Sequence, residues 1–364
     1  MLITGAGGSI GSELARVVAG FEPECVILME RAENNLFSID HHLARQHPLV
    51  ARRAVLHDVV DADQTLRLLA QHRPHVVFHA AAHKHVPLME DHPGHAVNNN
   101  LFGTKSIADA SLAAGVERFV MISSDKAVNP TSVMGATKRL AEIYVASLAR
   151  SQPATRFGMV RFGNVLGSAG SVLPLWQQQL DEGHAVTVTD PRMTRYFMTI
   201  PEAAALVVQA GALEQPAGQA PVYVLDMGQP VRIVELALRF VRLNGCEPVI
   251  DESTLPAAAR GLRLAELAGG SRGHDEAPAV PVVFTGARPG EKLYEELSYS
   301  AEHLRPTAHP GINQWAADGA GLDTAGVMRM IADMSALRTG AAAKGAVLAA
   351  LRQWVPEMTR TDGE

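Results

Sequence analysis

Cysteine is nearly missing from this chain: two in 364 residues, Cys25 and Cys246. Two thiols so far apart build neither a disulfide framework nor a metal-ligand cluster, so no metal is expected and a reducing cytoplasm is. Aromatic residues make up only 5% of the chain. There is no excess of positive charge either; the net charge is -6 and the pI about 6.2, which excludes a basic field for nucleic acid or an anionic membrane. No apolar run approaches the ~20 residues that cross a bilayer, and nothing reads as a signal peptide. Repeats and coiled-coil heptads are absent too. What is there is ordinary: 47% hydrophobic and 19% charged residues, enough for one large domain or two modest ones.

The stretch that organises the chain is Leu2-Ile3-Thr4-Gly5-Ala6-Gly7-Gly8-Ser9-Ile10-Gly11. A short apolar run enters a glycine turn and leaves into a helix carrying Leu14, Val17 and Val18. Gly5, Gly8 and Gly11 let the backbone turn tightly, approach a pyrophosphate and pack the helix on the strand. The helix N-terminus then offers N–H groups to phosphate. A second strand, Cys25-Val26-Ile27-Leu28-Met29-Glu30, ends in an acid at the distance where such folds bind the adenosine ribose. That carboxylate favours NAD over NADP, while Arg31 beside it keeps NADP open. The first strand begins at Met1, which reads as the trailing portion of a longer polypeptide.

A third strand, Ala54-Val55-Leu56-His57-Asp58, places Asp58 near the adenine amino group. A fourth, His75-Val76-Val77-Phe78-His79, runs into Ala80-Ala81-Ala82, small residues that leave room for a flat ligand at the carboxyl end of a sheet. Of Asn98-Asn99-Asn100 before the next helix, at least one reads as a structural cap. The fifth strand, Arg118-Phe119-Val120-Met121-Ile122, ends in Ser123-Ser124-Asp125-Lys126, the richest chemical position in the chain. Farther on, short strands and helices over 201–213 and 233–244 read as a smaller lobe interleaved with the last sheet strands. Residues 253–279 look like a loose insertion, and those after Trp315 like peripheral helices with a frayed end.

Six segments in this order resemble the extended short-chain dehydrogenase/reductase superfamily, and within it the polysaccharide-biosynthesis UDP-N-acetylglucosamine 4,6-dehydratases. They are Thr4–Gly11, Ala80-Ala81-Ala82-His83-Lys84-His85-Val86-Pro87-Leu88-Met89-Glu90, Ser124-Asp125-Lys126-Ala127-Val128-Asn129-Pro130-Thr131, Met134-Gly135-Ala136-Thr137-Lys138, Arg161-Phe162-Gly163-Asn164-Val165-Leu166-Gly167-Ser168 and Arg288-Pro289-Gly290-Glu291-Lys292-Leu293. The resemblance implies an α/β fold: a Rossmann-type doubly wound parallel sheet over 1–165, a substrate-binding lobe over 166–310 and a helical tail over 311–364. It implies a nicotinamide dinucleotide held by Gly5, Gly8, Ser9, Ile10, Gly11, Glu30, Arg31, Asp58, Val59, Ala80, Ala81, Ala82, Asn99 and Lys138. A UDP-sugar would lie along Lys84, His85, Asn164, Val172, Arg195, Arg288 and Glu291, with Arg288 on the diphosphate because its fork matches phosphate oxygens.

Ser124, Asp125 and Lys126 would face the hexose. Met134 stands where the superfamily usually has its tyrosine base, a change shared by the long, membrane-anchored, retaining-type members. The location implied is cytoplasmic, as a free enzyme or as the cytoplasmic portion of an inner-membrane protein, and a homo-oligomer pairing through helices like the one after Met134. Dehydration across C5 and C6, after oxidation at C4 and before hydride return to C6, needs a base and an acid. Lys126 is expected as the C5 base and Asp125 as the acid for the C6 hydroxyl, which requires a neutral amine and a protonated carboxyl. The C4 proton is left to Ser124, Asp125 or water. A nucleotide-sugar 4-epimerase and a silent dinucleotide sensor are the competing readings.

Overall fold

A computed structural model describes residues 1–152, 154–215, 217–260, 262, 264, 277–298, 304–315 and 322–359. The chain divides into two compact units, and their boundaries cut across the consecutive segments expected from sequence. The first comprises Met1–Phe162, Ile200–Asp226 and Glu296–Glu364; the second comprises Gly163–Thr199 and Met227–Glu295.

The first unit carries β1 (Leu2–Thr4), β2 (Val26–Glu30), β3 (Arg52–Leu56), β4 (Val76–His79), β5 (Arg118–Ile122), β6 (Arg156–Arg161), β11 (Val222–Leu225), β15 (Leu304–Pro306) and β16 (Ile312–Trp315) in one sheet. Their order is β15-β16-β11-β6-β5-β4-β1-β2-β3. From β11 to β3 every pairing is parallel, and β16 and β15 add an antiparallel edge. The chain order reverses between β1 and β4, the switch point where doubly wound sheets take ligands. β1 and β2 are buried at every residue, as strands covered on both faces must be.

Around the sheet lie α1 (Ser9–Ala19), α2 (Glu33–Gln46), α3 (Ala62–His72), α4 (Val86–Asp91), α5 (Pro93–Ala96), α6 (Gly103–Ala113), α7 (Val133–Ser151), α9 (Ile200–Ala212) and, at the end of the chain, α11 (Thr324–Ser335) and α12 (Lys344–Trp354). No described helix is long and apolar enough to cross a membrane. The tail is core, not periphery. Val327, Met330 and Met334 of α11 and Val347 and Leu351 of α12 pack with Val133, Met134, Leu140 and Tyr144 of α7. On its other side α7 sets Ala141, Val145 and Ala149 against the sheet core. No residue of 133–149 is fully exposed.

The second unit carries β7 (Asn164–Val165), β8 (Val186–Val188), β9 (Thr194–Arg195), β10 (Phe197–Met198), β12 (Val231–Arg232), β13 (Glu247–Ile250) and β14 (Ala279–Phe284), with α8 (Val172–Asp181) and α10 (Ile233–Leu243). β13, β14 and β8 form a parallel sheet on a core built around Trp176, Val234, Leu238 and Val282. The stretch expected to be loose is partly packed. Leu255, Ala259 and Leu264 join that core, and 265–276 lie outside the described residues.

Candidate functional site

The glycine turn is shaped by contacts that tolerate no side chain. Gly5 has φ +63°, and a Cβ there would meet Ala81 Cα at 2.8 Å. A Cβ on Gly11 would lie 2.0 Å from the Gly5 carbonyl oxygen, so this glycine serves the packing of α1 on the turn. Gly7, unremarked in the sequence, would clash with Asn35 of α2 at 2.4 Å. Gly8 begins α1 without a side-chain cap, leaving the helix N-terminus uncovered by any capping oxygen.

Gly5, Gly8, Glu30, Arg31, Asp58, Val59, Ala80, Ala81, Ala82 and Asn99 line one cleft of about 190 Å³, together with Met29, Asn35 and His57. Ser9, Ile10, Gly11 and Lys138 do not line it. Glu30 is held by backbone: Gly7 N–H donates to Oε2 at 3.1 Å, and the Arg31 and Ala32 N–H groups each donate to Oε1 at 3.0 Å. The acid at the ribose position therefore also fixes the glycine turn. Arg31 donates to Asn99 Oδ1 at 3.1 Å, meets His83 Nε2 at 2.7 Å and approaches Asp58 at 3.7 Å. Burial, with Arg31 next, lowers the His83 pKa to about 4, leaving a neutral imidazole to accept from the guanidinium. Asp58 lies two residues beyond the end of β3, in a turn where Oδ1 accepts from Val60 N–H.

Behind the cleft runs a buried chain of hydrogen bonds that sequence reasoning missed. Ala81 N–H donates to Thr4 Oγ1, which pairs with His79 Nδ1 at 2.8 Å; His79 Nε2 pairs with Thr104 Oγ1 at 2.9 Å, which donates to the Asn100 carbonyl. Because Thr104 spends its proton on that carbonyl, the neutral His79 carries its hydrogen on Nε2. Burial, then Lys138, holds its pKa near 3. The asparagines are not caps. They sit in a wide helical turn, Val97–Phe102, and buried Asn100 clasps His83 by both backbone groups and donates to Thr137.

At the end of β5, Ser124 Oγ donates to Asp125 Oδ1 at 2.8 Å and accepts from Lys126 N–H. Lys126 Nζ lies 3.0 Å from the same carboxylate oxygen. Asp125 is 1% exposed, and its Oδ2 is buried without a partner among the described residues. A buried carboxylate oxygen lacking a donor costs free energy that an incoming hydroxyl would recover. The contact is that of an ion pair, and the roles expected from sequence call for the neutral acid and amine. One proton moved across 3.0 Å from Nζ to Oδ1 interconverts the two forms.

Lys138 donates to the Ile122 carbonyl at 2.6 Å. Burial lowers its pKa to about 8, with Glu142 acting in the opposite sense. Met134 lies one turn earlier, buried in the apolar cluster with Val86, Leu101 and Phe102. The N-terminus of α7 is fixed by Ser132, which accepts from Gly135 N–H, and by buried Glu90, which accepts from Val133 N–H at 2.8 Å. Lys84 and His85 precede α4; burial lowers both pKa values, with Lys84 adding to the effect on His85.

Asn164, Val172, Arg195, Arg288 and Glu291 belong to the second unit. Arg195 is 8% exposed and spends its guanidinium on the Thr194, Leu293 and Lys292 carbonyls. Glu291 accepts from the Arg288 backbone N–H at 3.0 Å and so shapes the turn it sits in. Arg288 is exposed, and its guanidinium has no partner among the described residues. Val172 opens α8.

A family model described as "Polysaccharide biosynthesis protein" matches residues 1–316. The chain belongs to that family. Among its polysaccharide-biosynthesis relatives it is 46% identical over 342 residues to the "Probable polysaccharide biosynthesis protein EpsC" of Bacillus subtilis (strain 168), covering 93% of this chain and 51% of that one. It is 48% identical over 298 residues to the "Capsular polysaccharide biosynthesis protein CapD" of Staphylococcus aureus, covering 82% and 44%. The chain thus spans about half the length of these two relatives. A "UDP-N-acetylglucosamine 4,6-dehydratase (inverting)" of Campylobacter jejuni is 30% identical over 310 residues, 84% of this chain and 79% of that one. Among solved structures, Pen from Bacillus thuringiensis superposes with a TM-score of 0.71 at 28% identity, covering 88% and 89% of the two chains. The polysaccharide-biosynthesis family is a branch of the extended short-chain dehydrogenases/reductases, and the sheet order here is the Rossmann order of that superfamily.

Proposed function

We propose that this chain is an NAD- or NADP-dependent nucleotide-sugar 4,6-dehydratase acting on UDP-N-acetylglucosamine, in the synthesis of a surface polysaccharide. The observation that carries the reading is the contact between Lys126 Nζ and the buried Asp125 carboxylate, beside an orphaned oxygen that awaits a donor. The cleft suits a dinucleotide: Gly5, where a Cβ would strike Ala81, keeps the turn bare of side chain, and the uncapped N-terminus of α1 would take the phosphates. Glu30 would take the ribose hydroxyls, Asp58 the adenine and Lys138 the nicotinamide ribose. A nicotinamide group held there supplies the reversible hydride acceptance that oxidation at C4 and reduction at C6 require.

The protein's own task is proton traffic. Lys126, neutral once its proton has passed to Asp125, removes the proton from C5, which the C4 ketone has acidified. Asp125 gives its proton to the departing C6 hydroxyl, which leaves as water. Lys126 then returns a proton to C5, and the proton released from the C4 hydroxyl, by way of Ser124, Asp125 or water, restores the charge on Lys126. Met134 has no dissociable proton, so the tyrosine role of the superfamily is not filled at that position. Arg288, with an unengaged guanidinium, suits the diphosphate; Arg195, bound to three carbonyls, serves as a positioning residue.

The test is to incubate the protein and NAD with UDP-N-acetylglucosamine and follow the sugar by NMR. A 4-keto-6-deoxy product with solvent hydrogen at C5 is expected. A galacto-configured product means a 4-epimerase and unchanged sugar a silent dinucleotide sensor; either overturns the proposal.

A further inference from the structure

Three successive residues at the end of β5 face three different obligations. Ile122 holds Lys138 through its carbonyl, Ser124 begins the acid–lysine loop, and Ser123 between them points its hydroxyl into the interior. Ser123 Oγ donates to Glu142 Oε1 at 2.7 Å. Glu142 sits one turn beyond Lys138 on α7 and is 1% exposed. Arg161, at the end of β6 and fully buried, grips both its oxygens, Nε to Oε1 at 2.7 Å and Nη2 to Oε2 at 2.5 Å. Arg139 adds a third contact at 3.3 Å and passes the chain of charge outward, its Nε donating to Glu357 at 2.8 Å. Both guanidiniums lie against the Trp315 ring, at 5.0 Å for Arg161 and 5.6 Å for Arg139.

Two cations and two anions balance, so the cluster is stable only when complete. Glu357 belongs to the tail that follows α12, and two residues on, Thr359 N–H donates to the Pro130 carbonyl at 3.1 Å. Pro130 follows Asn129, which has φ +37° and closes the loop carrying Asp125 and Lys126. The tail therefore touches that loop at its exit through the backbone and reaches its entrance through half-buried Glu357 and Arg139 and buried Glu142 and Ser123.

We propose that Ser123, Glu142 and Glu357 are positioning residues: together with Arg139 and Arg161 they hold the acid–lysine loop in register and make its geometry depend on the turn that follows α12. The proposal deepens the dehydratase reading, and its kinetic arm rests on it. Ser123→Ala is the clean probe, because it leaves every charge paired. It should lower kcat about 10- to 100-fold, the value of one hydrogen bond to a buried charge, with KM and dinucleotide affinity within about twofold. Glu357→Gln should act in the same direction and more weakly, and Glu357→Asp should restore part of the loss.

A second arm needs no turnover. In the ligand-free protein, amide hydrogen exchange at Asp125, Ala127 and Val128 should accelerate about tenfold in Ser123→Ala while the β2 amides stay unchanged. Wild-type exchange at those three amides, or equal acceleration in β2, overturns the inference, since the first shows no tether and the second a general loss of stability. An inactive wild-type protein would sink the dehydratase reading and leave the exchange arm to decide this one.

Discussion

The glycine turn after β1 and the acid–lysine loop after β5 stand at strand ends of one sheet with β4 between them, yet they are built by opposite means. The turn is made of backbone. Its shape comes from close approaches that exclude a Cβ, at Gly5, Gly7 and Gly11, and from a carboxylate, Glu30, that binds main-chain N–H groups. The loop is made of side chains, held by a lysine, a glutamate and an arginine drawn from α7 and β6 and a tail more than 200 residues away. A backbone device is local and survives changes elsewhere. A side-chain device inherits the tolerances of every element that contributes to it.

The largest effect that would separate the two regions is on chemistry. Asp125→Asn and Lys126→Ala should each cut product formation by on the order of a thousandfold or more, the scale of losing a general acid or base, while a fluorescence titration finds dinucleotide binding intact. Near-normal turnover in either variant would remove that pair from the mechanism. Next comes the turn itself. Gly11→Ala places a methyl 2.0 Å from a carbonyl oxygen, and displacing that backbone should cost about 1–3 kcal/mol and weaken dinucleotide binding while a thermal melt still shows a cooperative fold. Unchanged affinity would mean that α1 can shift without disturbing the turn.

The smallest effect is on pH. His79 has a folded-state pKa of about 3 against 6.5, so as pH falls below 6.5 the unfolded chain takes the proton first and stability declines, levelling near pH 3. His79→Gln should flatten the slope of stability against pH between 6.5 and about 5, the part of the window above most carboxylate titrations, read from denaturation midpoints. An unaltered slope would assign that acid sensitivity to other groups.

The same contrast explains what the sequence made legible. The glycine spacing, Glu30 and Ala80-Ala81-Ala82 were readable because a dinucleotide turn is specified by consecutive residues, and ten of the expected cofactor residues line one cleft. Ser124, Asp125 and Lys126 were readable because they are adjacent. Glu142 and Arg161 were not: each sits inside an element whose periodicity says only that it is buried, and their pairing joins positions 19 residues apart across two elements. At least one of Asn98, Asn99 and Asn100 reads as a cap because the residue type favours caps, while the use of Asn100, clasping His83, depends on a loop 17 residues away. The tail was misjudged for a related reason. Alanine- and methionine-rich helices look peripheral by composition, yet they complete the cover of an apolar face of α7 that Val86, Leu101 and Phe102 begin. Sequence named ten residues that line one cleft and the three adjacent residues after β5, but not what holds those three in place.

The chain crosses between its two units four times, after Phe162, Thr199, Asp226 and Glu295. During synthesis, the six strands before Phe162 emerge first, but the strand that seals β11, namely β16, and the helices that cover α7 leave the ribosome last. Until then α7 carries bare apolar surface, and β11 has one unpaired edge, the conditions under which a nascent chain meets chaperones or aggregates. No single cut yields either unit whole, so a stop codon that removes only the final fifty residues strips the cover from a helix made two hundred residues earlier, about the span from Ser151 to residue 350.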